Sequence, residues 1–251
     1  MKILSLGWGV QSFTLAAMVA LKELPMVDAV VHSDTTHESI LTYRFAEKWT
    51  PWLEEHGVRV VTVKPKHSDP LDNGYGQEDP PFYSISKSGK AGQGKRQCTS
   101  QWKIYPMRRW IQANRKGQKV EQWIGISTDE YKRMRDSDVK YITNVYPLID
   151  NGVSRSDCKK WLADHNLEEP PRSSCIFCPY HSTAEWRRIK QIPEDWKGAL
   201  EVDEQMRNRR PPHRIFVHPS RRPLVDIDFR TPEEQGQLSL WDNECSGICG
   251  V

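Results

Sequence analysis

The sequence predicts a doubly wound α/β protein: a mostly parallel sheet with helices on both faces, joined to a smaller cysteine-containing C-terminal region. Three observations carry this. Strand-like apolar stretches alternate with helix-periodic ones through the first half of the chain. The opening strand runs through glycines straight into a helix, as Lys2-Ile3-Leu4-Ser5-Leu6-Gly7-Trp8-Gly9-Val10-Gln11-Ser12. Polar turns at residues 7–12 and 34–38 end successive strands, which puts both on the carboxyl edge of such a sheet, where α/β proteins bind ligands.

The elements follow in order. After the first strand a helix is expected over 13–23, then a strand over 28–32. Helical periodicity resumes from Ser39 to about Glu55, with Tyr43, Phe45, Ala46, Trp49 and Leu53 facing inward, and Gly57 closes it. A third strand covers 58–63. Residues 65–94 are rich in Gly, Pro, Ser and Asp and read as a long loop. A helix over 96–115 follows, with Pro106 marking a kink or a late start. Further strands are expected over 119–126 and 141–149. Ser154 opens a helix to His165 with Asp157 in its first turn, Ser182 caps another, and Pro193 starts a third that runs to Arg207. Residues 214–217 and 223–229 read as a hairpin.

Composition bounds the answer. The chain has 251 residues, 37% apolar and 27% charged, enough for a full core. No apolar run approaches the roughly 20 residues of a membrane span, and the N-terminus lacks a signal-peptide pattern, so a cytoplasmic protein without a membrane segment is expected. Net charge is only +3, yet the cations are clustered. Residues 80–120 hold ten Lys or Arg and no carboxylate; residues 205–225 hold six Arg, two His and again no carboxylate. Two such runs point to an anionic ligand, either a nucleotide or a polynucleotide. The glycine turn fits the same chemistry, because unpaired amides and the positive end of a helix dipole both favour phosphate. Among ten tryptophans, Trp102, Trp110 and Trp186 sit among basic residues, where they can stack on bases.

Six cysteines in a cytosolic chain read as thiols or metal ligands. Cys175-Ile176-Phe177-Cys178 fits two thiolates on one metal. A closed zinc knuckle is one reading; an iron–sulfur cluster held by Cys98, Cys175 and Cys178 is the sharper one. Cys158, alone on a helix, reads as a buried apolar thiol. Cys245 and Cys249 lie in a short polar tail that suits thiol exchange or persulfide transfer, an incidental terminal pair, or a fourth cluster ligand.

Several motifs in one order resemble the phosphoadenosine-phosphosulfate (PAPS) reductase family, part of the PP-loop, adenine nucleotide alpha hydrolase-like superfamily. Residues 7–12 look like a PP-loop, Ser-Gly-Gly-x-Asp-Ser, with Gly9 and Ser12 kept and Gly7, Trp8 and Gln11 standing for Ser, Gly and Asp. Ser33-Asp34-Thr35 with Glu38 and Tyr43-Arg44-Phe45 resembles the Asp-Thr-Gly turn and its sequel. Arg96-x-Cys98-Thr99, Lys103 and Pro106 look like Arg-x-Cys…Lys-x-x-Pro. Gly125, Glu130 and Arg133 match three positions of Gly-x-Arg-x-x-Glu-x-x-Arg, with Ser127 in place of the first Arg. Tyr146-Pro147-Leu148 and Cys175-x-x-Cys178-Pro179 fit the later part. Glu244-Cys245-Ser246-Gly247-Ile248-Cys249 is similar to the reductase tail, with one inserted residue and Cys for the terminal His.

The resemblance implies a Rossmann-like PP-loop domain over 1–150, a helical, arginine-rich region with the Cys-x-x-Cys over 151–230, and a flexible tail over 231–251. It implies ATP, PAPS or adenylyl sulfate (APS) bound by Ser5, Leu6, Gly7, Trp8, Gly9, Gln11, Ser12, Asp34, Thr35, Lys95, Arg96, Gly125 and Arg133. Cys98, Cys175 and Cys178 would hold a [4Fe–4S] cluster, with zinc the alternative, and Cys245 and Cys249 would be catalytic. One reading is an ATP-dependent sulfurtransferase acting on a nucleic acid such as tRNA or DNA, with Lys95, Arg96, Arg108 and Arg109 neutralising phosphate charge and a separate sulfur donor. Another is a PAPS or APS reductase served by a thioredoxin-like reductant. A third, non-enzymatic reading is a zinc-containing nucleic-acid-binding module.

Overall fold

The computed structural model describes residues 1–66, 80–230 and Glu234. Cys245 and Cys249, and with them the expected tail, lie outside the described residues.

Five strands form one parallel sheet: β1 (Lys2–Leu6), β2 (Ala29–Ser33), β3 (Val60–Val63), β6 (Val120–Ile124) and β7 (Ile142–Val145), in the order β3-β2-β1-β6-β7. The chain leaves β1 first toward β2 and β3 and later returns to β6 on the other side. The order therefore reverses between β1 and β6, and a crevice opens there above the carboxyl ends. Helices α1 (Val10–Ala20), α2 (Ile40–Glu55) and α5 (Arg155–Asp164) cover one face, where Leu4, Leu6, Val30 and Trp123 meet Phe13, Leu53, Cys158 and Leu162. Helix α3 (Tyr105–Asn114) covers the other, packing Met107 and Ile111 on Ile3, Val31, Val120 and Ile142. Ile3 and Leu4 face opposite sides because successive strand side chains alternate. The expected doubly wound α/β class is what the chain adopts.

Capping sets several boundaries. Ser39 caps α2, and Ser154 with Asp157 forms a capping box on α5. Ser182 caps α6 (Thr183–Lys190), and α7 spans Pro193–Arg207. Helix α1 starts at Val10, three residues before the expected 13, because Gly9 already has the extended cap conformation. The stretch 96–115 divides into a wide π-type turn, Thr99–Ile104, and α3, with Pro106 in the first turn where its missing N–H is harmless. Residues 141–149 are a strand only to Val145; the short helix α4 (Pro147–Asp150) follows.

Two expectations are corrected. The loop read over 65–94 holds β4 (Tyr83–Ile85) and β5 (Ala91–Gln93), which pair as a hairpin. Residues 214–217 and 223–229 do not pair with each other. Instead β8 (Arg214–Phe216) pairs antiparallel with β4, and Leu224–Asp226 form a 3-10 turn. Strand β8 thus finds its partner far upstream, which period-2 patterning cannot reveal. Beside this three-stranded sheet lies a separate core of Phe82, Trp102, Phe177, Trp186, Ile215 and Phe229. Trp102 and Trp186 are fully buried in it and cannot stack on bases, while Trp110 lies under the Arg59 guanidinium.

Candidate functional site

The crevice between β1 and β6 is a cleft of about 590 Å³, edged by Gly7, Gly9, Gln11, Ser12 and Gly125. Four cations face it: Lys103, Arg133, Arg155 and Arg172; Glu130, Pro171 and Ser173 complete the wall. The turn is held from within, as the Gly7 N–H donates to Ser12 Oγ at 3.1 Å and Ser12 Oγ donates to the Gly9 carbonyl at 3.2 Å. The first residues of α1, Val10, Gln11 and Ser12, border the cleft, so the positive end of the helix dipole adds to the cations.

The glycines of this site do different work. A Cβ on Gly125 would lie 2.8 Å from both Cα and N of Ser12, so only glycine lets β6 come this close to the start of α1. A Cβ on Gly9 would meet nothing within 4 Å; the space in front of it is the cleft. Trp8 takes the left-handed conformation, φ 53°, and is 1% exposed. Its ring packs against Phe13, His32 and Phe45, beneath the turn. Trp8 and the equally buried Leu6 therefore have only backbone to offer a ligand.

Gln11 ties the walls together. Its Nε2 donates to Glu130 Oε2 at 3.1 Å and to Ser127 Oγ at 3.4 Å, and its Oε1 accepts from Arg155 Nη1 at 3.0 Å. Glu130 also pairs with Arg133. Gln11 is thus a neutral bridge between α1, the turn after β6 and the start of α5.

At the end of β2, Asp34 is 8% exposed. Burial favours its neutral form, but the Thr36 N–H at 2.7 Å, the Tyr43 hydroxyl at 2.9 Å and Lys64 at 3.4 Å outweigh it and hold the carboxyl below its usual range. Glu38 accepts from Lys103 Nζ at 3.2 Å and from Ser173 Oγ at 2.8 Å, and pairs by its backbone with Cys175. Thr35 Oγ1 lies 3.6 Å from Cys175 Sγ. Burial works against the charge of Lys103, yet Glu38, Cys175 and Cys98 together hold it above the usual lysine value. Burial, with Glu38 beside it, pushes the Cys175 thiol up to about 12; burial also raises Cys178.

Cys98, Cys175 and Cys178 share this corner, since Cys98 and Cys175 bear on Lys103 and Cys98 on Cys178. No three His, Cys, Asp or Glu among the described residues stand close enough to hold a metal ion. As placed, the described thiols do not fit a cluster or a zinc ion. Cys158 is a fully buried core thiol, pushed up to about 11.

Of the sequence-derived candidates, Gly7, Gly9, Gln11, Ser12, Gly125 and Arg133 line the cleft. Ser5 opens instead into a neighbouring cleft of about 280 Å³ that shares Lys103. Lys95 is exposed, and Arg96 lies over the Tyr180 ring at 5.4 Å beside Cys178; neither lines the main cleft. Arg155, Arg172 and Ser173 were not foreseen as site residues. They lie outside both acid-free runs, so no local charge pattern marks them.

Fold and cleft together define a doubly wound α/β protein with a cationic, glycine-edged cleft at its topological switch point. No family model and no curated protein matches the chain. Among solved structures it is similar to the crystal structure of a phosphoadenylyl-sulfate (PAPS) reductase from Candida auris in a phosphate complex. The identity is 12% and the TM-score 0.46, over 67% of this chain and 74% of that one. At those values no residue role passes from that enzyme to this chain. Among the described residues no helix is long and apolar enough to cross a membrane.

Proposed function

We propose that the chain binds an adenine nucleotide by its phosphates in the switch-point cleft and uses it for sulfur chemistry, as a cytoplasmic ATP-dependent sulfurtransferase acting on a nucleic acid. Lys103 carries the reading: one ammonium edges the cleft and stands 3.2 Å from Glu38, beside Cys175. Phosphates and thiols would be served by the same cation. A carbonyl oxygen of the substrate attacks the α-phosphorus, pyrophosphate leaves, and the oxygen carries AMP as a leaving group. The terminal sulfur of a donor persulfide then attacks the carbon bearing that oxygen and expels AMP. A second thiol of the donor cleaves the resulting disulfide, leaving the thiocarbonyl on the substrate and a disulfide on the donor. In the first step the turn amides hold the phosphates in line, while Lys103, Arg133, Arg155 and Arg172 neutralise charge as it develops. A [4Fe–4S] cluster, with zinc the alternative, on Cys98, Cys175 and Cys178 would need those side chains to turn toward one another, so no step is routed through it. A brown protein after anaerobic purification supports a cluster, and a colourless, zinc-loaded one removes it.

One observation favours a second reading, a PAPS or APS reductase. The turn presents neutral Gln11 where the PP-loop pattern has Asp, and a reductase need not cleave ATP. There the Cys245 thiolate would attack the sulfonyl sulfur and expel the nucleotide. The thiols of a thioredoxin-like reductant would then displace sulfite and restore Cys245, themselves becoming a disulfide. Pyrophosphate release from ATP, assayed beside sulfite release from PAPS and APS, separates the readings. Pyrophosphate is expected; sulfite release that is lost in Cys245→Ser would establish the reductase instead. Neither product, with nucleic-acid binding retained, would leave the binding module.

A further inference from the structure

The two acid-free runs, far apart in sequence, converge in the fold. Pairing of β4 with β8 sets residues 82–96 beside residues 209–222, with Ile85 opposite Arg214. Together these segments carry nine Lys or Arg and no carboxylate. Lys87 and Lys90 stand exposed on the turn of the β4–β5 hairpin, and Arg214 and Arg222 are exposed on the adjoining segment. Arg221 fastens the sheet, donating to the carbonyls of Ser84 and Gly92 and lying over the Tyr83 ring at 5.4 Å. Tyr83 in turn donates to the Pro179 carbonyl at 3.4 Å, which ties the sheet to the Cys175–Cys178 turn. The next residue, Tyr180, is 52% exposed with the Arg96 guanidinium over its ring. A cationic track therefore ends at an open aromatic ring beside the thiols.

We infer that this small sheet is the docking face for a single-stranded segment of nucleic acid, with one unpaired base stacked on Tyr180. This rests on the nucleic-acid substrate of the proposed function and gives it a location and a strandedness. The lysines and arginines meet the phosphates, which sets affinity without reading sequence. Stacking on an aromatic ring backed by a guanidinium needs a base free of its duplex partner. A base whose carbonyl is to be modified must likewise leave the stack. An acidic polypeptide would use the cations but not the ring.

The test measures fluorescence anisotropy of labelled single-stranded RNA and DNA oligonucleotides, a matching duplex and poly-glutamate on the full chain. ATP binding is followed separately by calorimetry. Single strands should bind more tightly than the duplex or poly-glutamate. Lys87→Glu with Lys90→Glu and Arg214→Glu should weaken them at least about tenfold and lower the slope of log K against log salt by about 2. Tyr180→Ala should cost about fivefold with the salt slope unchanged, and Tyr180→Phe should restore the loss. The milder pair Lys87→Gln and Lys90→Gln gives the same readout should the triple variant fold poorly. Unchanged oligonucleotide affinity in the charge variants overturns the docking face. Equal duplex binding, or no effect of Tyr180→Ala, overturns the stacked single strand, and tighter poly-glutamate binding assigns the face to an acidic protein. Failure here with ATP still bound leaves the cleft reading intact; a wild-type chain that does not bind ATP fails that reading instead.

Discussion

Gly9 and Gly125 stand on facing walls of one cleft, yet replacing each with alanine should do opposite things. At Gly9 the added methyl points into empty cleft and the backbone is not left-handed, so stability should fall by no more than about 1 kcal/mol while ATP affinity drops. At Gly125 the methyl meets backbone, which cannot swing aside, so Gly125→Ala should cost about 1–3 kcal/mol and also widen the site. Urea midpoints set beside ATP calorimetry distinguish the two. Arg155→Ala should weaken ATP roughly tenfold and leave adenosine binding unchanged, as one charge-assisted phosphate contact is worth about 1.5–3 kcal/mol. Equal losses for ATP and adenosine would remove Arg155 from the phosphate site. The glycine turn was legible because strand, turn and helix are contiguous. Arg155 and Arg172 were not, because topology rather than local sequence brings them over the turn. The sense of Trp8 was also hidden: a large ring in a glycine-rich turn reads as part of the site, whereas its left-handed backbone turns the ring into the core.

At the scale of elements, residues that must sit at helix starts were the readable ones. Ser39, Ser154 with Asp157, Ser182 and Pro193 each mark a helix start in the fold. The three-residue strands β4 and β5 left no such mark, since Tyr-Ser-Ile and Ala-Gly-Gln are too short and too polar to show alternation, whereas β8 was readable as a strand but its partner was not. One cap was invisible for another reason. Asp195 on α7, 3% exposed, accepts from Ser39 Oγ at 2.5 Å and from the Ile40 N–H at 2.9 Å, so a distant helix finishes the cap of α2. Asp195→Ala should cost about 1–3 kcal/mol in urea unfolding, because it strands buried donors. ATP affinity should fall with it, since the start of α2 carries the Glu38 turn.

For the molecule as a whole, acid sensitivity is expected from two desolvated histidines, His32 buried and His218 half-buried. Burial holds His32 and His218 below the ordinary value of 6.5. A histidine kept neutral in the fold stabilises fully above its unfolded pKa, and that contribution is lost as pH falls from about 6.5 toward the lower folded values. Urea midpoints should therefore decline between pH 8 and pH 5, and His32→Gln should flatten the decline. A flat wild-type profile would show that these rings do not govern the transition.

The strand order has a last consequence, for the sequence of events during synthesis. Strands β1, β2 and β3 with α1 and α2 are complete by residue 63, and their pairings are local, so this half can form early on a growing chain. The second wall of the cleft arrives with β6, more than 50 residues later, and the Arg155, Arg172 and Ser173 side chains emerge later still. A nascent chain thus displays its glycine turn long before the cations that line the cleft are in place. Under the proposed function, ATP capture waits until Ser173 has been added to the growing chain.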